Sequence, residues 1–338
     1  MENQEKTTEK FKKNIALIGA GNWGKNHLRE LARMGALQIV LETSTSTIAE
    51  RKKDFKDVQF ATDEKQIIDD PGIRAVVITT PAESHYELTK KYLLEGKDVL
   101  VEKPLSLNVK QAQELIDIAE KNSRILMVGH ILQYHPAVIK LKELIDQGDL
   151  GQIRYIYSNR LNIGKLRIEE NVLWSFAPHD ISLIMMFMDG EEPLKVSAFG
   201  GAYVRHSIAD TTLTILEFKN GIKGHIFVSW LHPFKEQKLV VVGSERMVVF
   251  DDISKEKLFI YPHKIKWEKG KIPVAQKADF NIVEFEQKQP LKEELLHFIH
   301  CIETRITPKT NGQEGLKVLG ILERAERQLK KEGISNNE

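Results

Sequence analysis

The chain has 338 residues, 41% hydrophobic and 29% charged, with a formal net charge of +1, enough for one large or two ordinary domains with ample core. That balance leaves no electrostatic footprint for nucleic acid or an anionic membrane surface, and no apolar run approaches the ~20 residues that span a bilayer. The single cysteine, Cys301, has no internal disulfide partner and sits in the apolar helical run "LLHFIHCIE", so a buried structural thiol and a reducing, cytoplasmic setting are expected.

Residues 1–12, polar and charged without the apolar core of a secretory signal, are expected to be a disordered tail. Next, "NIALIGAGNWGKNHLRELARMG" opens with an apolar strand from Ile15 to Ile18 and breaks at glycine. It continues as a helical pattern with Leu28, Leu31, Ala32 and Met34 inward and Arg29, Glu30 and Arg33 outward. "LQIVLE" then reads as a second strand ending in Glu42. Strand, helix and strand in this order are the context a dinucleotide fingerprint requires, and Gly19, Gly21 and Gly24 supply it as G-x-G-x-x-G. Gly19 permits the tight turn, Gly21 lets backbone approach a pyrophosphate, and Gly24 lets helix and strand pack closely. The helix N-terminus offers free N–H groups to phosphate. Glu42 falls where an acid takes ribose hydroxyls, would repel a 2′-phosphate, and is followed by "TSTST" with no arginine. NAD is therefore expected in preference to NADP.

The alternation continues through "KQIIDD" (helix), "RAVVITTP" (strand), "ESHYELTKKYLLEG" (helix), "DVLVEKP" (strand), "NVKQAQELIDIAEKNS" (helix) and "RILMVGH" (strand), a doubly wound parallel sheet. Such sheets bind ligands at the carboxyl ends of their strands. Thr80, Pro81, Glu102, Lys103, Pro104 and His130 all fall at those ends, so the charged pair before Pro104 faces the cofactor rim rather than an arbitrary surface turn.

From about residue 151 the pattern changes to alternating strands: "QIRYIYSNRLN", "LKVSAFGGAYV", "DTTLTILEFKN", "GIKGHIFVSWLHP", "EQKLVVVGS", "RMVVFDD" and "KLFIYP". A large, mostly antiparallel open sheet is expected, one face covered by helices near 178–188 and 291–304, with a closing helix near 312–331. The expected organisation is a Rossmann domain over 13–130 and an α+β substrate-binding and oligomerisation domain over 131–338.

The motifs "GAGNWG", "TTPAESH", "GKDVLVEKPLSLN" and "VGHILQYHPAV", in this order, resemble the Gfo/Idh/MocA oxidoreductases, NAD(P)-dependent enzymes acting on sugars and cyclitols. The second half matches more loosely, through "GDLGQIRYI", "APHDISLI" and "VVVGSERMVVFDD". The resemblance implies that Lys103 bonds the substrate hydroxyl beside the nicotinamide, that Glu102 helps fix the geometry, and that the 103–104 peptide is cis. It also implies cofactor contacts for Asn22, Trp23, Ser44, Thr80, Pro81 and His85, and a homodimer or homotetramer built on the second domain's sheet. The family's D-x-x-x-H helix motif is incomplete: His179 is present, but Ser175 stands where the aspartate belongs, and Asp180 follows the histidine. Proton transfer is therefore assigned to Lys103 and His179 together, with Asp180 as an orienting or structural group. Tyr134, Trp174 and Ser175 are expected on the substrate side, and no metal is called for.

"NRLNIGKLRIEENVLWSFAPHD" places Arg160, Lys165 and Arg167 in what reads as a loop before the catalytic helix, and "SWLHPFK" adds Trp230, His232 and Lys235. Such cations suit an anionic ligand, and the segment resembles the subgroup oxidising C3 of UDP-linked N-acetylglucosaminuronate for surface polysaccharide. Two alternatives stay open: a dehydrogenase of free sugars or inositols, and a non-catalytic dinucleotide-sensing regulator on the same fold.

Overall fold

The structure, a computed structural model, describes residues 11–164 and 166–334. The expected tail lies outside them apart from Phe11 and Lys12, and Lys165 also lies outside them. The chain forms two compact units, one from 1–129 with 291–316, the other from 130–290 with 317–338.

The first unit alternates β1 (Ile15–Ile18), α1 (Gly24–Met34), β2 (Leu37–Leu41), α2 (Thr45–Asp54), β3 (Phe60–Ala61), α3 (Lys65–Ile68) and β4 (Ala75–Ile78). It continues with α4 (His85–Leu94), β5 (Asp98–Glu102), α5 (Val109–Lys121) and β6 (Leu126–Gly129). The six strands pair in parallel in the order β3-β2-β1-β4-β5-β6, the dinucleotide-binding order with its reversal between β1 and β4. Strands β1 and β4 are buried along their whole length, which is why they read as unbroken apolar runs rather than alternating ones. Helix α1 follows the expected faces with one correction. Glu30, expected outward, is buried and lies 3.1 Å from Arg29 and 3.2 Å from Arg33. Helix α2 was not expected; Ser44 caps it by accepting from the Thr47 N–H at 3.2 Å.

Residues 291–316, expected with the second domain, belong to the first unit. The segment supplies partners to the open edge of β6: the Val128 N–H donates to the Thr310 carbonyl at 2.7 Å, and the Thr310 hydroxyl donates to the Val128 carbonyl at 2.8 Å. Arg305 adds a bidentate pair with the buried Asp98 at 2.6 and 3.0 Å. An exposed edge strand is a pairing liability, and this segment covers it.

The second unit holds α6 (Pro136–Asp146), β7 (Ile153–Leu161), α7 (Val172–Phe187), β8 (Lys195–Gly201), β9 (Thr211–Glu217), β10 (Lys223–Ser229) and β11 (Glu236–Gly243). It goes on with β12 (Met247–Asp251), β13 (Leu258–Tyr261), β14 (Lys264–Glu268), β15 (Ile272–Gln276) and β16 (Asn281–Ile282), and then the chain runs through α8 (Pro290–Thr304) and α9 (Gly312–Lys331). All seven expected strands form. Eight strands make one sheet, in the order β16-β13-β12-β11-β7-β10-β9-β8, antiparallel except for the β7–β10 pair. The exposed β14–β15 hairpin was not expected. One sheet face, with Ile156, Ile226, Val228 and Val241, packs in a common core with Leu173, Ala177, Ile181 and Ile184 of α7. Helix α7 starts six residues earlier than expected. Asn171 accepts from the Trp174 N–H at 3.3 Å and caps a helix that carries Pro178 inside it.

Candidate active site

In the first unit the glycine loop leaves β1 at Gly19, whose φ of +88° is open to glycine and strained for other residues. A Cβ at Gly24 would lie 2.5 Å from the Gly19 carbonyl oxygen and 2.6 Å from Thr79 Oγ1, whereas one at Gly21 would meet nothing within 4 Å. The loop is thus tight toward the sheet and open at Gly21, the position where a pyrophosphate must approach. Helix α1 has no side-chain cap at Trp23, which leaves its first turn available to an anion.

Glu42 ends β2 with its carboxylate pinned at the loop. Oε2 accepts from the Ala20 N–H at 2.8 Å and Oε1 from the Ser44 N–H at 2.9 Å. Two further groups brace the loop and escaped the sequence reading. Thr79 Oγ1 donates to the Gly19 carbonyl at 2.7 Å, and the buried Arg51 donates from Nε to the Ala20 carbonyl at 2.9 Å. Arg51 sits on α2, an element without a strong apolar period, so nothing in its sequence neighbourhood marked it.

The β4 and β5 ends form the rest of the rim. Ser84 donates to Thr80 Oγ1 at 2.6 Å. His85, expected at the cofactor, is 1% exposed, with Nδ1 at 2.7 Å from the Pro104 carbonyl and Nε2 at 2.8 Å from the Thr80 carbonyl. Both ring nitrogens are engaged, so its role is corrected: it ties the β4 rim to the Pro104 turn instead of touching a ligand. The Lys103–Pro104 peptide is cis. Glu102 accepts from Trp23 Nε1 at 2.5 Å and His27 Nε2 at 2.7 Å, so the half-exposed indole packs at the end of β5. Burial would raise the Glu102 carboxyl, but the hydrogen bond and charge of His27, the Trp23 bond and the Lys103 charge together hold it below its ordinary value.

In the second unit Trp174, Ser175, His179 and Asp180 lie on α7 and Arg160 on β7. Ser175 and His179 stand one helical turn apart on α7, Ser175 buried and His179 half-buried. Asp180 is 1% exposed and accepts from Arg160 Nε at 2.8 Å, Arg160 Nη2 at 3.1 Å and the Ser158 hydroxyl at 2.6 Å. Arg160, expected in a loop gripping a substrate anion, is corrected on both counts. It lies in β7, is buried, and spends its guanidinium on Asp180. Trp174 donates from Nε1 to Glu326 at 3.3 Å, a carboxylate that also accepts from Asn171 at 2.9 Å. Tyr134 is buried and Lys235 exposed. Arg167 pairs with Glu170 at 2.8 Å. Trp230, expected with His232 and Lys235 in a patch for an anionic ligand, is 2% exposed and part of the core.

Cys301 is buried in the first unit, and burial pushes its thiol up to about 11, which fits a packing role. A cleft of about 420 Å³ in that unit is lined by Ile116, Arg124, Leu126, Arg305 and Pro308. It lies at the amino end of β6, away from the rim, with Arg124 and Arg305 both committed to backbone or Asp98.

A strand-order reversal, a glycine loop, an acid closing the second strand and a Glu-Lys-Pro corner on one rim define an NAD-binding oxidoreductase. Residues 13–130 match the family model for the oxidoreductase family with an NAD-binding Rossmann fold, and 138–249 match the GFO/IDH/MocA C-terminal domain. The chain belongs to the Gfo/Idh/MocA oxidoreductases, a family of sugar and inositol CH–OH dehydrogenases. It is 25% identical over 304 residues to UDP-N-acetylglucosamine 3-dehydrogenase of Acidithiobacillus ferrooxidans, covering 90% of this chain and 93% of that protein. It is 24% identical to scyllo-inositol 2-dehydrogenase (NAD(+)) of Bacillus subtilis over 87% of each. The solved structure of the Acidithiobacillus enzyme superposes with a TM-score of 0.81 at 24% identity, covering 93% of this chain and 96% of that one. GenD2 from gentamicin A biosynthesis, in complex with NAD, superposes with a TM-score of 0.80 at 19% identity, over 96% of each.

Proposed function

We propose that this protein uses NAD to oxidise the C3 hydroxyl of a UDP-linked N-acetylglucosamine sugar, carried as the C6 uronate. The observation that carries the dehydrogenase chemistry is the Glu102–Lys103–Pro104 corner at the dinucleotide rim, with Glu102 held by Trp23 and His27. NAD supplies the hydride acceptor. Gly19, Gly21 and Gly24 would receive its pyrophosphate and Glu42 its adenine ribose. Lys103 would hold the substrate hydroxyl and take part in moving its proton, and His179 is the second proton-handling group, with Asp180 and Arg160 fixing the backbone of α7 beneath it. Because Ser175 replaces the family's aspartate, no carboxylate four residues before His179 assists it.

The C3 position is supported by the activity of UDP-N-acetylglucosamine 3-dehydrogenase, the relative that aligns over 90% of the chain. The uronate rests on the resemblance of residues 159–180, since Arg160 and Arg167 are already paired. Sugar dehydrogenation by soluble NAD suits a cytoplasmic enzyme, and no helix among the described residues is long and apolar enough to cross a membrane.

The test is turnover of NAD⁺ and NADP⁺ with UDP-N-acetylglucosaminuronate, UDP-N-acetylglucosamine, myo-inositol and scyllo-inositol. The uronate with NAD⁺ should give the highest kcat/KM. A preference for uncharged UDP-N-acetylglucosamine overturns the uronate, a preference for the inositols overturns the nucleotide sugar, and no turnover leaves the sensing protein. Glu42 should make NAD⁺ bind at least ~10-fold tighter than NADP⁺, about 1.4 kcal/mol; equal affinities by titration would remove it from that role.

A further inference from the structure

Behind the Glu102 carboxylate lies a second carboxyl group that the proposed reaction does not use. Glu294 of α8 is completely buried. Donor atoms of His27, Glu102 and Glu294 all lie within 4.8 Å of one another. Among the described residues neither Glu294 oxygen has a hydrogen-bond partner, and neither does His27 Nδ1. Gly129, opposite Glu102 on β6, leaves room for the cluster: a Cβ there would fall 3.0 Å from Glu102 Oε2.

Two carboxyl groups this close, shielded from water, do not both ionise. Their donors decide which keeps the proton. Glu102 accepts from Trp23, from His27 and, at 3.3 Å, from the Lys103 N–H, and it neighbours the Lys103 charge. Glu294 has no such donors; burial first, and then the Glu102 charge, push its carboxyl well above the ordinary range. Among the described residues, His27 of α1 and Glu102 at the end of β5 are the titratable groups clustered with it, and the Lys103 charge acts on Glu102. A divalent ion is a poorer account of the cluster, because Glu102 Oε1 already takes the His27 and Trp23 hydrogens.

We propose that Glu294 is a positioning residue, a neutral carboxylic acid that backs the Glu102 carboxylate and so fixes the strand end from which Lys103 is presented. This rests on the reading of Lys103 as the group that meets the substrate. When Glu294 loses its proton as pH rises, a second buried anion repels Glu102 from Trp23 and His27, and Lys103 loses its placement.

The experiment compares the full-length wild type with Glu294→Leu and Glu294→Gln by pH–rate profile, NAD⁺ titration and thermal unfolding across pH. Glu294→Leu should lower kcat by about tenfold or more with NAD⁺ affinity changed by less than about threefold. Glu294→Gln, which keeps the shape and cannot lose a proton, should restore most of kcat and move its alkaline limb up by about one pH unit or more. The folded state holds a proton on Glu294 that the unfolded chain releases near the ordinary carboxyl range, so wild-type Tm should fall as pH rises through the raised value. Glu294→Gln should abolish that part of the fall.

If Tm flattens in Glu294→Gln but its alkaline limb stays where the wild type's is, the positioning role is overturned. If neither moves, or if purified protein carries a stoichiometric divalent ion, the acid–carboxylate pair is overturned. If no sugar is turned over while Tm flattens as expected, the proposed reaction fails and the buried acid stands. Should Glu294→Gln not fold, a protonated-carboxyl infrared band that persists in the wild type above the ordinary carboxyl range supports the neutral acid, and its absence there rejects it.

Discussion

Lys103 and Glu102 are adjacent in sequence and, in the proposed reaction, divide the work at the rim. Glu102 is spent on Trp23 and His27, which fixes the backbone, while Lys103 is the residue assigned to the hydroxyl. Lys103→Ala should therefore reduce kcat by about 10²–10⁴-fold, the range for a positioned proton-transfer group, with NAD⁺ affinity nearly intact. Activity within a few-fold of wild type would make the lysine a bystander. Arg160 belongs to the opposite category. Its removal leaves the buried Asp180 carboxylate without its bidentate partner, and stranding one half of a buried ion pair costs about 3–5 kcal/mol. Arg160→Ala should lower the unfolding free energy measured by urea titration by that amount and reduce turnover of charged and uncharged sugars alike. A selective loss on the uronate would instead return Arg160 to the substrate.

Helix α6 is capped by a titratable group. His135 Nδ1 accepts from the Ala137 N–H at 3.1 Å, and its ring packs edge-on against Phe250 at 5.0 Å. Burial pushes its pKa down to about 4, against the pull of Asp252 and with the Lys257 charge helping. An unfolded histidine titrates near 6.5, so between those values the unfolded chain binds the extra proton. Stability is thus lost as pH falls from 6.5 toward 4, by on the order of 2–3 kcal/mol. His135→Asn retains a capping acceptor that does not titrate in this window, and its unfolding free energy should be flatter over the same range. Parallel curves for the two proteins would show that another group governs the acid limb.

At the scale of the whole molecule, the eight-stranded sheet has one face in the core and the other open. On the open face Tyr157 stacks on Tyr155 at 6.2 Å and on His225 of the neighbouring β10 at 5.2 Å, with Phe227, Leu213 and Val240 on the same side of the strands. A contiguous apolar face of this kind marks an interface, and we propose that it joins copies of the chain. Tyr157→Glu should convert an oligomer to monomers in light scattering, without loss of NAD⁺ binding. A wild type that is monomeric at every concentration tested would exclude the face as a self-association surface.

The local chemistry of the dinucleotide half was legible in the residues. Gly19, Gly21 and Gly24 are set by backbone geometry within a single strand-helix-strand unit that Glu42 closes, and buried parallel strands such as Ile15–Ile18 announce themselves as apolar runs. The seven alternating strands of the second half were legible for the same local reason: one face is wet and the other dry. Partners brought together from distant segments were not legible. Arg160 and Asp180 are 20 residues apart, Glu102 is 75 from His27, and Glu294 lies in a helix whose period shows only that it is buried somewhere. Whether a charged residue meets a ligand or another side chain depends on which elements pack beside it. The sequence alone therefore determined the class of fold and the order of the rim motifs along the chain, because periodicity and backbone requirements are local. Only the tertiary structure decided that Arg160 and His85 are already taken, and that the edge of β6 is covered by residues 305–312, because hydrogen bonds and ion pairs are satisfied across the fold.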